Sequence, residues 1–423
     1  MTSMTATVAQ ANQSCPPGLL VAGIDTHKHT HHVAVVDHLG RPVADQQFGT
    51  TGRGYTQIVQ FLRAHGTVTR VGVEGTGSYG AGIARVLTAS GFTVVEVARP
   101  NRQARRLRGK SDPLDAHQAA LAMLTGAKGV APKSGDGAVE CLRILISERR
   151  SAVKARTQTI NQMQALLITA PQPVRATYRA LPADRLVATL ARTRPGTTGT
   201  GQPEQIARQT LKRLAIRFQN LQAEIAIIDE QLDALIRVVN PALLSRNGVG
   251  VVTAATLLVA AGDNPDRLTS KASFAAMTGV APIPASSGQR IRHRLSRAGD
   301  RHANSALPRI VLLRKRHHEP RTMAYIARRR AEGLTDRDIT RCLKRHIANE
   351  IYAVLMNPGT DNPVGQQLRI HRQRIGIPIT TLAATLHVPY QQLRRLEIGI
   401  RSDPELEQRA KAVLDQISPQ SAA

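Results

Sequence analysis

Residues 19–36 read LLVAGIDTHKHTHHVAVV, and this stretch decides the fold prediction for the first part of the chain. Two apolar runs enclose a polar stretch, the turn HLGRP follows, and VADQQFG forms a third run, which is typical of an antiparallel three-stranded meander. GYTQIVQFLRAHG and SYGAGIARVLTASG then predict helices, and TRVGVEG and FTVVEVA predict strands. The order βββαβαβ, followed by a later helix, predicts an α/β domain over residues 19–130.

The remainder of the chain is predicted to be mostly α-helical. Residues 138–170 and 203–240 predict two long helices, and apolar residues recur at spacings of three and four in LKRLAIRFQNLQAEIAIIDEQLDALI of the second, which predicts a helical arm of coiled-coil type over 138–240. A Pro/Gly/Thr linker near 191–203 interrupts this arm. Three further segments complete the predicted division: a disordered lead at 1–18, a basic helical segment at 241–357 and a small helical module at 364–418.

Positive charge dominates the composition. The 423 residues include 57 Lys and Arg against 30 Asp and Glu, a formal net charge of +27. This excess favours a polyanionic partner, with nucleic acid ahead of a membrane surface. Aromatic residues make up only 3% and the sequence has no tryptophan, which argues against a binding mode built mainly on base stacking.

The cysteines and the apolar segments indicate in which cellular compartment the protein is expected. Cys15, Cys141 and Cys342 are odd in number and widely spaced, which fits neither a disulfide framework nor a zinc site and predicts a reducing cytoplasm. The longest apolar stretch, near 249–261, is too short for the roughly 20 residues of a membrane span. The first residues lack the pattern of a signal peptide. We therefore predict a cytoplasmic protein without membrane contact.

Four carboxylates occur where a metal site would need them. Asp25 ends the first predicted strand and Glu74 ends the fourth. Asp112 and Asp115 lie three residues apart at the start of a helix, so both can face one point. Mg²⁺ prefers hard oxygen ligands and can stabilise oxygens at phosphorus. A structural interpretation stays open for each acid, because Asp112 can cap the helix with Pro113 in its first turn, and the strand acids can simply end their strands.

A cluster of histidines lies next to the first acid. His27, His29 and His31 would share a face if they stood on one strand, and His32 follows them. Without a second cluster of ligands, a solvated or nucleic-acid-facing edge is favoured over a metal site.

Three motifs carry a family resemblance. GIDTHK, EGTGSY and KSDPLDA resemble the signatures of the DEDD transposases of bacterial insertion sequences, which are related to the Piv invertase. The resemblance extends over about residues 19–357. It implies a ribonuclease-H/RuvC-like fold for the α/β domain, with Asp25, Glu74, Asp112 and Asp115 as catalytic metal ligands for Mg²⁺.

The same resemblance implies partners and a cellular place. A structured noncoding guide RNA, encoded beside the gene, would pair with donor and target DNA. The acidic site would be completed across the subunits of a homo-oligomer, a dimer or a tetramer, and the arm is a plausible interface. The protein would be bacterial and nucleoid-associated. Lys28 and Tyr79 match neighbouring motif positions and receive no role.

A serine followed by arginines forms the second candidate centre. TGVAPIPASSG and the later GD resemble the C-terminal transposase domain of the same family. Ser287, which directly precedes Gly288, is the predicted catalytic nucleophile, and Ser286 is the alternative. Attack by its hydroxyl on a phosphodiester would form a covalent phosphoserine link. Arginines that could neutralise the transition state follow it: Arg290, Arg292, Arg294, Arg297 and Arg301.

The basic segment has further candidate contacts to nucleic acid. LLSRNGVGVVTAATLLVAAGD predicts a helix, a glycine turn and a helix, which is either a phosphate-binding helix-hairpin-helix or an ordinary tight turn. Tyr325 is interpreted as packing, and Tyr178 is a weak alternative nucleophile. Basic residues flank both candidate centres and are predicted to contact nucleic acid: Arg102, Arg105, Arg106, Arg108, Lys110, Arg328 and Arg329.

The last module resembles a helix-turn-helix of the Xre/Cro repressor type. Its recognition helix would begin near Pro389 and present Gln391, Arg394 and Arg395 to base edges. A helical bundle for protein contacts is the alternative. The predicted small core consists of Leu368, Leu382, Leu386, Val388 and Leu396.

Three functions remain in competition at this stage. The first is a DNA transposase or recombinase with a RuvC-like metal site and a serine nucleophile. The second is a metal-dependent, structure-specific nuclease without a covalent step. The third is a non-enzymatic helix-turn-helix regulator, against which the intact acids and the intact SSG segment argue.

Overall fold

The structure is a computed structural model that describes residues 18–97, 111–124, 130–196, 201–285, 293–296, 299–357, 363–397 and 403–417. The chain divides into two compact units. The first comprises residues 1–136 with 261–270, and the second comprises 137–260 with 271–423. Residues 261–270, which include a 3₁₀ turn over Pro265–Arg267, therefore pack with the first unit.

A five-stranded sheet forms the centre of the first unit. Its strands lie in the order β3-β2-β1-β4-β5, with β1 antiparallel to β2 and parallel to β4. The predicted α/β order, βββαβαβ with a later helix, is confirmed. The elements are β1 (Leu20–Thr26), β2 (Thr30–Val36), β3 (Pro42–Gly49), α1 (Gly52–Ala64), β4 (Val68–Glu74), α2 (Ala81–Ala89), β5 (Val94–Val97) and α3 (Asp112–Leu124).

The two faces of β1 pack against different helices, because successive side chains of a strand point to opposite faces. Ala22 and Ile24 are fully buried in a core that also contains residues of α1 and α2. Val21 lies on the other face and packs with Ala120 and Met123 of α3. By the same alternation Asp25 belongs to the face that α3 covers.

The second unit is mostly helical, as predicted. Within the described residues, no helix is both long and apolar enough to cross a membrane. Its elements are α4 (Ala138–Thr169), α5 (Gln172–Tyr178), α6 (Ala183–Arg192), α7 (Pro203–Val239), α8 (Pro241–Leu244), α9 (Val251–Ala261), α10 (Lys271–Met277), β6 (Pro282–Pro284), β7 (His293–Leu295), α11 (Arg301–Arg316), α12 (Pro320–Ala331), α13 (Asp336–Met356), α14 (Pro363–Arg374), α15 (Ile379–Thr385), α16 (Tyr390–Glu397) and α17 (Pro404–Ile417).

The two long helices of the arm occur close to their predicted bounds. α4 and α7 pack along one another, and Met163 on α4 and Leu211 on α7 are fully buried in a shared core. Arg149 and Asp229 also join the helices, with Nε to Oδ1 at 2.5 Å and Nη2 to Oδ2 at 3.0 Å. The apolar spacing in the sequence therefore marks a real helix–helix contact.

A short hairpin was not predicted from the sequence. β6 and β7 pair antiparallel, with Pro284 opposite His293. Strands of three residues are too short to show a period of two, so the pattern predicted no strand here. The next helix, α11, is capped by Asp300, whose Oδ1 accepts hydrogen bonds from the backbone N–H groups of His302 at 2.8 Å and Ala303 at 3.0 Å.

The last four helices, α14 to α17, share a small apolar core of their own. Leu368, Leu382, Leu386 and Leu396, which the sequence assigns to this core, are buried, and Val388 packs against them. A buried ion pair between α14 and α16 adds to the core: Arg372 donates from Nε and Nη2 to both carboxylate oxygens of Glu397, at 2.6 and 2.8 Å.

Candidate metal centre

Two glycines let α3 lie directly on the sheet. Gly23 on β1 and Gly72 on β4 are partners in the parallel register, so they form a flat patch without side chains. A Cβ added at Gly23 would lie 2.1 Å from the backbone nitrogen of Ala120 and 2.2 Å from the carbonyl oxygen of Ala116. A Cβ at Gly72 would lie 2.7 Å from the carbonyl oxygen of Ala119. The close approach carries the start of α3 to the ends of both strands.

The predicted acids lie where these elements meet. Asp25 is 5% exposed at the end of β1, and Asp115 is 5% exposed in the first turn of α3. Glu74, 7% exposed, ends β4 directly after Val73, which is the register partner of Ile24 on β1. Asp112 is the first residue of α3 and keeps 42% of its side chain exposed. Three carboxylates are thus buried and the fourth lies at the rim.

His27 bridges two of the acids. Its Nε2 lies 3.1 Å from Oδ2 of Asp25 and 3.1 Å from Oδ1 of Asp112. One ligand atom from each of Asp25, His27 and Asp112 lies within 4.8 Å of the others, which makes this trio a possible cation site. The imidazole can donate to the carboxylates when that nitrogen carries a proton, or offer a lone pair to a metal when it does not.

The electrostatics of Asp25 show a crowded negative site. Burial raises the pKa of Asp25, His27 opposes this shift, and the nearby carboxylates of Asp115 and Asp112 raise the pKa further. Its Oδ2 is buried and accepts no hydrogen bond from the described residues, although His27 is close to it. A buried carboxylate with like charges beside it is stabilised by a cation.

The residues present fit a hard divalent cation. The trio offers carboxylate oxygens from one strand end and one helix start, together with one imidazole nitrogen. Carboxylate oxygen is the ligand type that Mg²⁺ prefers, and imidazole is compatible with Mn²⁺ and other transition ions.

The turn after β4 holds Glu74 at the strand end. Gly75 adopts φ of +61°, which favours glycine, and the N–H groups of Ser78 and Gly80 both donate to its carbonyl oxygen. The hydroxyl of Thr26 donates to the carbonyl oxygen of Glu74 at 3.0 Å and ties the two strand ends together. The EGTGSY motif therefore provides the carboxylate of Glu74 and also forms the turn that holds it at the strand end.

The interpretation of the histidine cluster as a solvated edge was wrong for His31 and His32, whereas His29 is exposed. β1 ends at Thr26 and β2 begins at Thr30, so His27 and His29 lie in the turn and share no strand face with His31. His31 is fully buried and stacks on Tyr55, and burial lowers its pKa. His32 is 9% exposed, and its Nε2 lies 2.7 Å from Asp45. The last two are core residues and not a solvated edge.

His27 is the site residue that sequence reasoning missed. The signal was its position two residues after Asp25 in GIDTHK. The sequence pattern extended the strand through His27, whereas the backbone turns before it and brings the imidazole back over the carboxylate.

The second candidate centre falls largely outside the described residues. Ser286 and Ser287 lie there, within the connection between β6 and β7, and so do Arg290, Arg292 and Arg297. Arg294 is on β7, but its side chain is not described. The predicted basic run before the second acid pair, with Arg102, Arg105, Arg106, Arg108 and Lys110, is also outside.

The structure shows where several of the other candidate residues and motifs lie. The predicted helix, turn and helix are present as α8, a turn with Gly248 at φ of +79°, and α9. Tyr178 is 6% exposed in the core of the arm, which fits its low rank as a nucleophile. Arg328 and Arg329 lie on α12 and line a cavity together with Tyr325. Tyr325 is therefore not packing alone.

In the last module, α16 begins at Tyr390, next to the predicted start. Gln391 is exposed and Arg394 is half-buried on this helix, and the side chain of Arg395 is not described.

Two family models match the chain. One, of the DEDD transposases of IS110, matches residues 22–170, and the other, of the transposase IS116/IS110/IS902 family, matches residues 240–327. Together they cover more than half of the chain. The first contains all four predicted acids, and the second contains the SSG segment and the first part of α12, up to residue 327.

Relatives extend over most of the chain. A Streptomyces coelicolor protein assigned as the mini-circle transposase for IS117 is 26% identical over 394 residues, which are 79% of this chain and 92% of that protein. The 42 kDa protein of insertion element IS900 from Mycobacterium paratuberculosis is 24% identical over 392 residues, 81% of this chain and 97% of that protein. The 43.6 kDa protein of IS110 from Streptomyces coelicolor is 33% identical over 133 residues, 30% of this chain and 32% of that protein.

These matches define the class of the protein as a transposase, an enzyme that acts on DNA. The chain belongs to the IS110/IS116/IS902 family of transposases. The predicted resemblance to insertion-sequence transposases is confirmed at the level of the family, and the DEDD name of the first model agrees with an acidic, metal-binding site.

Proposed function

We propose that the protein cuts and rejoins DNA strands during transposition of an insertion sequence, with a RuvC-like metal site formed by Asp25, Glu74, Asp112 and Asp115. One observation carries the proposal: in a chain of this transposase family, Asp25, His27 and Asp112 converge at the end of β1, with buried Asp115 beside them. We add His27 to the site as a positioning residue for the two carboxylates that it bridges.

In this chemistry the protein positions the negative carboxylates that would hold the metal ion. Asp25 and Asp115 are buried and Asp112 lies at the rim, so a DNA phosphate approaching from solvent meets the open side of the cluster. A bound divalent cation would polarise a phosphoryl oxygen and neutralise charge at phosphorus. Without it the carboxylates repel a phosphate, so the acids bind DNA only indirectly.

The covalent step is assigned to Ser287, with Ser286 as the alternative. Its Oγ forms a bond to phosphorus while the bond from phosphorus to a deoxyribose oxygen breaks. The serine proton passes to a base, and the leaving oxygen takes up a proton. One phosphodiester is exchanged for another, so no external energy source is needed, and attack by a second DNA hydroxyl reverses the exchange and frees the serine. The support for this step is the family resemblance of TGVAPIPASSG.

The proposal also includes a guide RNA, an oligomeric state and a place in the cell. A structured noncoding RNA directs the enzyme to donor and target DNA, and two or four copies hold the cut strands together in the bacterial cytoplasm at the nucleoid. The net charge of +27 supports binding of two polyanions. The last module, α14 to α17, acts as an additional DNA reader of the helix-turn-helix type through Gln391, Arg394 and Arg395.

The test is a recombination assay with purified protein, the noncoding RNA that flanks the gene, donor DNA, target DNA and Mg²⁺. Recombinant joints are expected, together with a covalent protein–DNA adduct that Ser287→Ala removes. Asp25→Ala and Asp115→Ala are expected to lose at least a hundredfold in rate while keeping the fold, since each removes a ligand of the reacting centre. Asp184→Ala, at an exposed position of α6, is the matched control and should react like the parent.

Other outcomes point to other functions. Cleavage without any adduct would establish the metal-dependent nuclease, and DNA binding without cleavage would establish the regulator. Unchanged recombination in both Asp25→Ala and Asp115→Ala would rule out the metal site.

A further inference from the structure

A cationic cavity, the Tyr325 pocket, lies in the second unit. It has a volume of about 620 Å³ and is bounded by α12, α13 and the segment at the start of β6. That volume is in the range of cavities that hold small ligands. Its cationic lining consists of Arg328, Arg329, Arg341, Lys344 and Arg345, against the single carboxylate of Asp338.

The pocket follows from helical spacing on two neighbouring helices. Tyr325, Arg328 and Arg329 stand at positions i, i+3 and i+4 of α12, so they share a face. Arg341, Lys344 and Arg345 repeat the same spacing on α13, which packs against α12. The two cationic faces meet at the cavity. Like charges so arranged repel one another unless an anion lies between them.

The protein neutralises only part of this charge. Arg341 pairs with Asp338 at 2.8 Å, and Arg328 and Arg329 share Glu332. Nε of Arg329 and Nη1 of Arg345 are buried and have no hydrogen-bond partner among the described residues. Burying a guanidinium donor without a partner costs free energy.

The environment of Lys344 agrees with an unneutralised positive site. Burial lowers the pKa of Lys344, and the charge of Arg341 lowers it further. A bound anion would relieve both the repulsion and the unsatisfied donors.

The pocket also offers an aromatic wall. The guanidinium of Arg328 lies 5.3 Å from the ring centroid of Tyr325, and the ring of His346 meets the same tyrosine edge-on at 5.2 Å. Val280, Ala281 and Pro282 form an apolar side of the cavity. Such a site suits a phosphate with a sugar or base attached to it.

We infer that the Tyr325 pocket binds a phosphodiester of a nucleic acid strand, with the phosphate on Arg329 and Arg345. The occupant is a strand and not a free phosphate, because the cavity is larger than a phosphate ion and the chain as a whole carries an excess of 27 positive charges. Pro284, which ends the strand β6 beside the pocket, precedes Ser286 by two positions in the sequence. The pocket would thus hold nucleic acid at residues that are close in sequence to the serine to which the covalent step is assigned. The inference rests on the proposed function for its choice of nucleic acid.

The pocket contains its own probe. Cys342 lines the cavity, whereas Cys141 is exposed on α4 and far from it in sequence. We would alkylate the full chain with iodoacetamide, a neutral reagent that the charges do not attract, and follow each cysteine by mass spectrometry. A saturating single-stranded DNA, or an RNA of the same sequence, is expected to slow the reaction of Cys342 at least fivefold and to leave Cys141 unchanged. The nucleic acid that slows the alkylation of Cys342, DNA or RNA, is the one that binds in the pocket.

Charge-removing variants provide the second measurement. Arg345→Gln should reduce the slope of log affinity against log salt by about 0.7, the value for one phosphate contact to a single strand. Arg337→Gln removes the same charge from an exposed position of the same helix, outside the pocket, and should leave the slope unchanged.

Both results are required. Unprotected Cys342 in a saturated complex, or equal slopes for Arg345→Gln and Arg337→Gln, overturns the inference and leaves the proposed function standing. Protection of Cys342 in a protein that never cuts or joins DNA would support the pocket and overturn the proposed function. The alkylation uses the unmodified chain, so a variant that fails to fold does not affect it.

Discussion

At position 23 the lack of a side chain lets the acidic cluster form. The Cβ of an alanine would meet the backbone of α3 at 2.1 and 2.2 Å, and backbone cannot rotate away as a side chain can. We therefore expect Gly23→Ala to lift α3 from the sheet and to separate Asp112 and Asp115 from Asp25. The free energy of unfolding should fall by about 1–3 kcal/mol or more, as in other overpacked cores, and recombination should be lost.

Gly49→Ala is the matched control for this change. Gly49 also ends a strand of the sheet, but a Cβ there has no neighbour within 4 Å. Denaturant unfolding and the recombination assay should show it close to the parent. Equal stability and activity of the two variants would contradict the role given to the close approach.

A second prediction at this scale is that Asp25 lowers the stability of the metal-free fold although the activity requires it. Burial and then the neighbouring acids raise the pKa of Asp25, with His27 opposing them, so the ionised group is costly in the metal-free protein. We expect Asp25→Asn to raise the free energy of unfolding in a chelator by about 1 kcal/mol, as at other sites where function strains the fold. The same variant should lose activity.

Thermal unfolding with and without Mg²⁺ measures this trade-off. The parent should gain more from the ion than Asp25→Asn does, because binding to the native state adds to stability. Asp184→Asn, at an exposed position, should behave like the parent in both conditions. A lower melting temperature of Asp25→Asn in the chelator would contradict the prediction.

At the scale of elements, the buried ion pair between α14 and α16 determines how the last module holds together. Arg372 is 8% exposed and Glu397 is 4% exposed, and Nη1 of Arg372 also donates to the carbonyl oxygen of Ile377 at 2.7 Å. Arg372→Met should destabilise the module by about 3–5 kcal/mol, because it leaves a buried carboxylate without a partner. Chemical denaturation followed by circular dichroism measures the loss.

The double variant provides the decisive comparison. Arg372→Met with Glu397→Leu removes both charges, and most of the stability should return. Arg369→Met, at an exposed position of the same helix, should change little. If the double variant is as unstable as the single one, the loss comes from packing and not from the unpaired charge.

The elements also show what a sequence pattern can and cannot predict. The arm helices and the succession of strands and helices along the first domain were predicted because a long period of three and four, or a compact apolar run, depends on local residues. The hairpin β6–β7 was missed because each strand has three residues. The meeting of α3 with Gly23 and Gly72 could not be read locally, since it joins residues far apart in the chain. His27 was missed for a different reason, because the strand pattern did not reveal the turn that brings its imidazole back to Asp25.

At the scale of the whole molecule, charge governs the encounter with DNA. With 57 Lys and Arg against 30 Asp and Glu, binding should release counterions from many phosphates. The affinity for duplex DNA is expected to fall linearly with salt on a double logarithmic plot, with a slope of about −0.9 for each phosphate contact. Fluorescence anisotropy at several salt concentrations gives this slope. A slope near zero would contradict the assignment of the excess charge to nucleic acid.

The close contact between α3 and the sheet also has a consequence for folding. Asp25, Glu74 and the acids of α3 come from distant parts of the chain, so the site depends on a non-local contact, whose formation costs more loop-closure entropy than that of a local one. The sheet itself can pair before α3 arrives, whereas the metal centre cannot exist until it does. A local opening that detaches α3 would likewise abolish the centre while the strands stay paired. Hydrogen exchange at the amides of α3 would therefore report how often the enzyme is without its site.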